Sequence, residues 1–244
     1  VVFQPIVDTR EGVVVGLEAL SRFDDGRPPD VWFEEAASVG LGIDIGPSAA
    51  DPFIALAAAA ASTERIALIA AVIVLPRRRP QLVAQSAATL DLLSGGRLVL
   101  GVGAGADKGD YLPFGETAAF DERVARMDEA IGIVDRLLRG ETIHHGGPAY
   151  VVDGVAVGPR PAQSPRPPMW LGAVRPGGVR KAARLDGWSG VATEPDGVKV
   201  FTPPDRVAEL VGIAREERAH LGRSDEPFDV SVFAIAGAGG HTPA

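Results

Sequence analysis

The sequence contains no cysteine among its 244 residues. This absence excludes disulfide bonds, thiolate metal sites and cysteine nucleophiles, and it fits a reducing cytoplasm. Basic residues are also fewer than acidic ones, because 24 Lys and Arg stand against 32 Asp and Glu, for a net charge of -8. Phosphate backbones are bound by clustered Lys and Arg, so we expect no nucleic-acid partner.

Long apolar runs are missing as well. The alanine-rich stretch 55–61 is far shorter than the roughly 20 residues that a transmembrane helix needs. The first residues show neither the basic segment nor the apolar segment of a secretory signal. We therefore expect a soluble, cytoplasmic protein without a membrane partner. A hydrophobic content of 46% is ordinary for a globular fold, and the length suits one large α/β domain or two small ones.

From Asp51 onwards, apolar runs typical of strands alternate with segments typical of helices. The predicted strands lie at 66–75, 97–102, 169–173, 188–192 and 229–236. The predicted helices lie at about 52–62, 80–94, 121–139, 174–186 and 205–221. This alternation predicts right-handed crossovers and a parallel sheet, and it leaves open both a closed (β/α)8 barrel and an open doubly wound sheet.

Several local features within this pattern carry expectations. Asp51 and Asp121 are predicted to cap the N-termini of their helices. Segment 141–165 is rich in Gly and Pro, which predicts an excursion or hairpin. The apolar stripe that we expect on the second helix consists of Leu82, Val83, Ala87, Leu90 and Leu93.

Two glycine-rich segments are candidate ligand loops. Gly101–Gly105 follows a predicted strand, where backbone N–H groups can approach a phosphate or a ring edge closely. It does not have the G-x-G-x-x-G dinucleotide pattern, and a plain tight turn explains it equally well. The segment from Gly172 to Gly178 precedes a basic helix, so it is either a phosphate pocket or an ordinary loop with solvated Arg residues.

Other polar residues favour structural interpretations. His144 and His145 have no acidic or histidine partner at ligand spacing, so we interpret them as a surface pair. Asp107 and Asp110 are read as solvated loop carboxylates in preference to a metal site. The run Arg77–Arg79 marks a solvated loop or an anion contact. No nucleophile-elbow or Ser/His/Asp order is present, and the sequence identifies no catalytic residue.

One long stretch resembles the luciferase-like monooxygenase family. The resemblance lies in DPFIALAAAAASTERIAL, IAAVIVLP and RRRPQLVAQSAATLDLLSGGRLVLGVGAG, followed in the family's order by FDERVARMDEAIGIVDRLLRGE, GPRPAQSPRPPMWLGA, KAARLDGW and VSVFAI. These motifs cover residues 51–244 as one barrel portion. The resemblance implies a TIM-type (β/α)8 barrel, incomplete or hybrid, that holds FMN or the deazaflavin F420 at the C-terminal ends of its strands.

The resemblance also implies which residues contact the cofactor. A cis peptide bond in the strand at 66–75 would be Ala71–Val72 and would bulge against the flavin ring. Gly103, Ala104 and Gly105 match the strand end that contacts the flavin. The loop that often holds the cofactor phosphate matches Gly172, Ala173, Arg175 and Gly177.

Residues 1–45 do not follow that family. Strands are predicted at Val2–Val7 and Val13–Leu20, with a turn at Thr9–Gly12 and a helix at Pro29–Val39. The stretches FQPIVDTREGVVVGLEALSRF and PPDVWFEEAASVGLGID resemble the opening of an EAL-type cyclic di-GMP phosphodiesterase. Glu18 matches that family's metal-binding glutamate, but its other metal ligands are missing here, so we expect Glu18 to be non-functional.

Three hypotheses follow from the sequence. The first is a flavin- or F420-dependent oxidoreductase or monooxygenase acting on a small organic molecule. The second is an inactive hybrid or truncated fragment, and the third is a cyclic di-GMP phosphodiesterase remnant. The choice between FMN and F420, the substrate and homo-oligomer formation stay open.

Overall fold

The computed structural model describes residues 2–8, 13–20, 51–116, 119–190, 192–193, 199–200 and 204–232. The chain divides into two compact units, residues 1–54 and 55–244. In the first unit, strands β1 (Val2–Asp8) and β2 (Val13–Leu20) pair antiparallel. The two predicted N-terminal strands are confirmed, whereas the predicted turn at Thr9–Gly12 and helix at Pro29–Val39 lie outside the described residues.

Helix α1 (Pro52–Ser62) begins as its sequence predicts. The carboxylate of Asp51 accepts a hydrogen bond from the backbone N–H of Phe53 at 2.9 Å. This contact satisfies one of the N–H groups that the first helical turn leaves without an intrahelical acceptor. Asp51 is therefore confirmed as a capping residue.

The second unit is built around a five-stranded parallel sheet with the order β11-β8-β7-β4-β3. Its strands are β3 (Leu68–Val74), β4 (Leu98–Gly103), β7 (Met169–Gly172), β8 (Gly187–Gly190) and β11 (Asp229–Val232). The helices between them are α2 (Pro80–Leu93), α3 (Phe120–Leu138), α4 (Pro176–Ala182) and α5 (Pro204–His220). The predicted α/β alternation and parallel sheet are confirmed, although the described strands do not close into a barrel.

Two small antiparallel pairs lie outside the parallel sheet. Strands β5 (Ile143–Gly146) and β6 (Val151–Val155) form a hairpin, which was one of the two alternatives predicted for the Gly- and Pro-rich segment 141–165. Strands β9 (Ala192–Thr193) and β10 (Lys199–Val200) form the other pair. No helix within the described part of the chain has the length and apolarity needed to cross a membrane.

Two details of the helices differ from expectation. Leu82 and Leu93 were expected on the buried stripe of α2, but both are 57% exposed, while Val83, Ala87 and Leu90 are buried. Successive residues of a helix are about 100° apart around its axis. The buried face of α2 is narrow, so Leu82 and Leu93 lie beside it and face solvent. Asp121 does not cap α3, because the helix begins at Phe120 with Ala119 in the N-cap position.

A buried carboxylate ties the sheet to the segment that precedes β7. Asp91 on α2 is 0% exposed. Its oxygens accept hydrogen bonds from the Gln163 backbone N–H at 2.9 Å, the Gln163 side-chain amide at 2.7 Å and the Leu98 N–H at 3.4 Å. A buried carboxylate requires such donors. Through them, Asp91 holds the first residue of β4, Leu98, close to Gln163 in the segment before β7.

Candidate functional site

The parallel sheet has one face covered by core side chains and one face lined by glycine. Neighbouring parallel strands place paired residues on the same side, and the register pairs Leu100 with Met169 and Leu171 with Trp188. All four are fully buried and form the core face. Residues one step away point to the other side, where Trp170 and Ser189 stand among four glycines. We name this side the glycine face after Gly101, Gly103, Gly172 and Gly187.

Val72 lies across this glycine face near the C-terminal ends of the strands. A Cβ atom added to Gly103 would lie 2.8 Å from Val72 Cγ2, and one added to Gly172 would lie 2.9 Å from Val72 Cγ1. A Cβ on Gly101 would overlap the Ala70 carbonyl and approach Val72. We name this arrangement the Val72 floor: Val72 with Gly101, Gly103 and Gly172.

The peptide bond between Ala71 and Val72 is cis, as the family resemblance implies. The pairing of β3 with β4 also shifts between Ala70 and Ile73, which leaves Ala71 and Val72 outside the regular ladder. Ala71 is exposed and Val72 is half-buried. These two residues are thus placed at the surface of the floor and not within the core.

The loop after β4 is fixed by Tyr111. Gly105 has a φ of 77°, a conformation that favours glycine, and a Cβ there would lie 2.9 Å from the Tyr111 ring. The Tyr111 hydroxyl donates to the Ala104 carbonyl at 2.9 Å. Burial raises the pKa of Tyr111 above its ordinary value, so the phenol stays a neutral donor near pH 7. Ala104 and Gly105 are thereby held beside the Val72 floor.

The loop after β7 carries the second candidate segment. Ala173 is held by hydrogen bonds from its N–H to Ser189 and from the Trp188 indole to its carbonyl, the latter at 2.8 Å. Arg175 is exposed and stands at the N-cap of α4, a helix of seven residues with no side-chain cap. The predicted helix up to about Asp186 is therefore shorter than expected, and a helix this short supplies little dipole.

Arginine and aromatic side chains alternate along the loops that follow these strands. We name this set the arginine–aromatic array: Phe114, Arg77, Tyr111, Arg123, Phe120 and Arg175. In that order, each guanidinium carbon lies near the next ring centroid, at successive distances of 4.4, 5.8, 4.6, 5.5 and 5.9 Å. Distances up to about 6 Å allow cation–π attraction.

The residues considered as metal ligands in the sequence have other partners. Asp107 forms an ion pair with Arg123, and the Asp110 carboxylate accepts the Ala106 N–H at 2.7 Å. Within the described ranges, no group of three or more His, Asp or Glu could hold a metal ion. Glu18 lies opposite Gln4 in the β1–β2 pairing, and its side chain lies outside the described residues.

The histidine pair has acidic partners that the sequence spacing did not indicate. His144 Nδ1 lies 2.6 Å from Asp153 Oδ1, and His144 is mostly exposed. His145 Nε2 lies 2.7 Å from Glu129 Oε1 on α3. The surface interpretation holds for His144, whereas His145 joins the β5–β6 hairpin to the long helix.

The described residues form an α/β fold in which Val72 and the glycines of the floor lie near the C-terminal ends of parallel strands. The family model for luciferase-like monooxygenases matches residues 29–239, so the chain belongs to that family. The match begins within the segment 1–45 for which the sequence suggested an EAL-type origin, and the comparisons do not show that origin.

Individual relatives agree with the family assignment. The uncharacterized protein Rv0940c of Mycobacterium tuberculosis is 34% identical over 187 residues, covering 77% of this chain and 60% of the relative. An F420-dependent glucose-6-phosphate dehydrogenase of Microbacterium testaceum is 36% identical over 132 residues, covering 53% of this chain and 38% of the relative. The chain thus spans well under two thirds of the length of these relatives.

Solved structures show the same fold. The monooxygenase RslO1 from Streptomyces bottropensis superposes with a TM-score of 0.66 at 26% identity, covering 82% of this chain and 64% of that protein. An F420-dependent secondary alcohol dehydrogenase superposes with a TM-score of 0.66 at 19% identity, covering 75% of this chain and 54% of that protein. The second likeness bears on the fold alone.

Sequence reasoning missed most of the arginine–aromatic array. Of its six members, only two were noted: Arg77 as part of a basic run, and Arg175 as part of the loop that the family resemblance assigns to the cofactor phosphate. Phe120 and Arg123 are three residues apart at the start of α3, a spacing that places them on one helical face. That spacing was the available signal, but it does not reveal that the face meets residues from two other loops.

Proposed function

We propose that this chain forms the cofactor-binding portion of a flavin- or F420-dependent oxidoreductase, with FMN or F420 held on the Val72 floor. The chain would form part of a TIM-type (β/α)8 barrel, incomplete or hybrid in this sequence. The observation that carries the proposal is the Val72 floor itself. Three strand positions without side chains, Gly101, Gly103 and Gly172, leave room for Val72, which presents an apolar surface near the strand ends, where barrel enzymes bind their ligands.

The residues present suit a flat tricyclic ring with a phosphate-bearing side chain. Ala71 and Val72 offer an apolar surface for the ring, and the backbone of Gly103, Ala104 and Gly105 borders it. The loop containing Gly172, Ala173, Arg175 and Gly177 offers backbone N–H groups for the oxyanion of the phosphate, with the Arg175 cation beside them. These assignments are proposals that rest on the family's pattern and on the placement of the residues.

The cofactor supplies hydride transfer or reaction with dioxygen when it is bound. The protein's part is to position the ring and to exclude water. Val72 would fix the ring's distance from the sheet, because its methyl groups have no room to move towards Gly103 or Gly172. Tyr111 would hold the Ala104 carbonyl in place through its hydroxyl. The substrate would be a small organic molecule that enters from the strand ends.

A titration of the purified chain with FMN and F420 tests this function. The fluorescence of the cofactor measures its binding, and the melting temperature measures how far binding stabilises the folded chain. A ligand at 100 times its Kd should stabilise the folded state by about 2.7 kcal/mol. Micromolar binding with that stabilisation would support the proposal. A cooperatively folded chain that binds neither cofactor would instead support the non-catalytic fragment, and stabilisation by cyclic di-GMP alone would support the phosphodiesterase remnant.

A further inference from the structure

The charges of the arginine–aromatic array are only partly compensated. Arg77 forms an ion pair with Glu116 at 3.1 Å, and Arg123 forms one with Asp107. Arg175 is exposed and has neither a carboxylate nor a hydrogen-bond acceptor among the described residues. Two of the three guanidinium groups are therefore neutralised, while the third keeps its donors free.

The free guanidinium stands beside exposed apolar surface. Phe120, whose ring lies 5.9 Å from the Arg175 guanidinium carbon, is 52% exposed. Phe114 at the other end of the array is 49% exposed, and Leu112 is 55% exposed. A planar apolar group can stack on such ring faces while an attached acid group meets the cation. The surface therefore suits an organic acid with a flat apolar portion.

The array also adjoins the Val72 floor. The Tyr111 ring lies against Gly105, two residues beyond Gly103 of the floor. Arg175 follows Gly172, another floor residue, by three positions. β4 and β7 are direct neighbours in the sheet, so the array borders the strand ends on which the floor is built. A ligand held by the array would thus lie next to a ring bound on the floor.

We propose that Arg175 binds the carboxylate of an acidic substrate whose flat apolar portion lies on Phe120. The identity of this ligand as a substrate rests on the proposed function. Carboxylates are bound well by a planar guanidinium, which offers paired donors. The overall charge of -8 would disfavour anions at most of the surface, so one unpaired cation among aromatic rings gives a localised acid site.

The cofactor's own phosphate is the competing partner for Arg175. The backbone N–H groups of Gly177 and Gly178 have no acceptor among the described residues. Backbone donors of this kind can hold a phosphate without a side chain. The Arg175 guanidinium carbon lies 5.9 Å from the centroid of the Phe120 ring on α3, so its donors are within reach of a ligand that stacks on that ring. These two observations favour the substrate acid as the partner.

The test compares an acid with its neutral amide on the chain saturated with FMN, or with F420. Binding of 2-naphthoate and 2-naphthamide is measured by calorimetry for the wild type, Arg175→Gln and Arg180→Gln. Arg180 is an exposed cation on α4 without an ion pair among the described residues, so it controls for loss of charge alone. Phe120→Leu tests whether the ligand stacks on the Phe120 ring. A comparison of the affinities for FMN and for riboflavin, which lacks the phosphate, tests whether Arg175 binds the cofactor's phosphate.

The wild type should bind the acid about tenfold more tightly than the amide, the size expected from a charge-assisted hydrogen bond. Arg175→Gln should abolish this preference, Arg180→Gln should keep it, and Phe120→Leu should weaken both ligands about fivefold. Equal binding of acid and amide by the wild type would overturn the proposal, as would a preference that survives Arg175→Gln.

A third result would reassign Arg175 to the cofactor. If Arg175→Gln lowers the advantage of FMN over riboflavin and leaves naphthoate binding unchanged, the substrate proposal is wrong. A different result would contradict the proposed function: a wild-type chain that binds neither FMN nor F420. Naphthoate is also titrated into the chain without cofactor, so a preference for the acid there would still support the Arg175 site.

Discussion

The side chain of Val72 occupies the space that any side chain on residue 103 would need. A Cβ atom at Gly103 would lie 2.8 Å from Val72 Cγ2, closer than real carbon atoms approach. Gly103 does not have a positive φ, so glycine is required there by packing and not by backbone conformation. The floor on which we place the cofactor ring is therefore defined by contacts among a few named residues.

Substituting alanine at Gly103 or Gly172 should damage the floor. The added methyl group must displace Val72, which we expect to cost about 1–3 kcal/mol of unfolding free energy. The displaced valine would also enter the space assigned to the cofactor ring and weaken FMN or F420 binding about tenfold. Urea denaturation and cofactor titration measure the two effects.

Gly132 supplies the matched control for these variants. It lies within α3, and a Cβ there would meet nothing within 4 Å. Gly132→Ala should stabilise the protein by up to about 1 kcal/mol, because alanine favours the helix, and should leave cofactor binding unchanged. The floor would be wrongly described if Gly103→Ala behaved like Gly132→Ala in both measurements.

Removal of the Asp91 carboxylate should destabilise the second unit. In Asp91→Ala, the backbone N–H of Gln163 and one N–H of its side-chain amide lose the buried carboxylate as acceptor, while the amide keeps its hydrogen bond to the Leu98 carbonyl at 2.8 Å. We expect a loss of about 3 kcal/mol, since unsatisfied buried donors bear their full desolvation cost. Asp225→Ala, at an exposed position, is the control and should change stability by less than about 0.5 kcal/mol. Similar denaturation midpoints for the two variants would contradict this account.

Glu129 should make stability depend on acid pH. Burial alone would raise the pKa of Glu129, but hydrogen bonds from His145, Ala149 and Tyr150 outweigh it and hold the pKa below its ordinary value of 4.5. The stabilisation is therefore present above about pH 4.5 and is lost as the pH falls through the lowered pKa. Glu129→Gln should remove this part of the pH dependence, as measured by melting temperature between about pH 3 and pH 7.

The pair of Asp153 and His144 is the control for Glu129. Both side chains are mostly exposed, at 88% and 70%, and surface pairs contribute little to stability. Asp153→Asn should leave the melting curve at each pH unchanged. The opposite pattern, with Asp153→Asn flattening the pH dependence and Glu129→Gln having no effect, would show that the hairpin is not held through Glu129.

Local pattern and family resemblance predicted the N-terminal strand pair, the strands of the parallel sheet, an excursion or hairpin within 141–165 and the cis bond at Ala71–Val72. These features depend on residues close in sequence or on a motif that the family shares. The contacts of Asp91 with Gln163 bridge 72 positions, and no periodicity reports such a distance. The buried face of α2 was predicted only in part. Val83, Ala87 and Leu90 are buried as expected, but hydrophobicity alone wrongly placed Leu82 and Leu93 in the core. The arginine–aromatic array escaped prediction because its residues come from three separate loops and from the start of α3.

The most direct test asks whether the cofactor ring contacts Val72. The chain is labelled with carbon-13 at its valine methyl groups and saturated with FMN or F420, and Val72→Ile assigns the signals. The account predicts nuclear Overhauser effects from the ring's aromatic protons to both methyl groups of Val72. Effects confined to other valines, such as the 81% exposed Val151, with none to Val72, would contradict it.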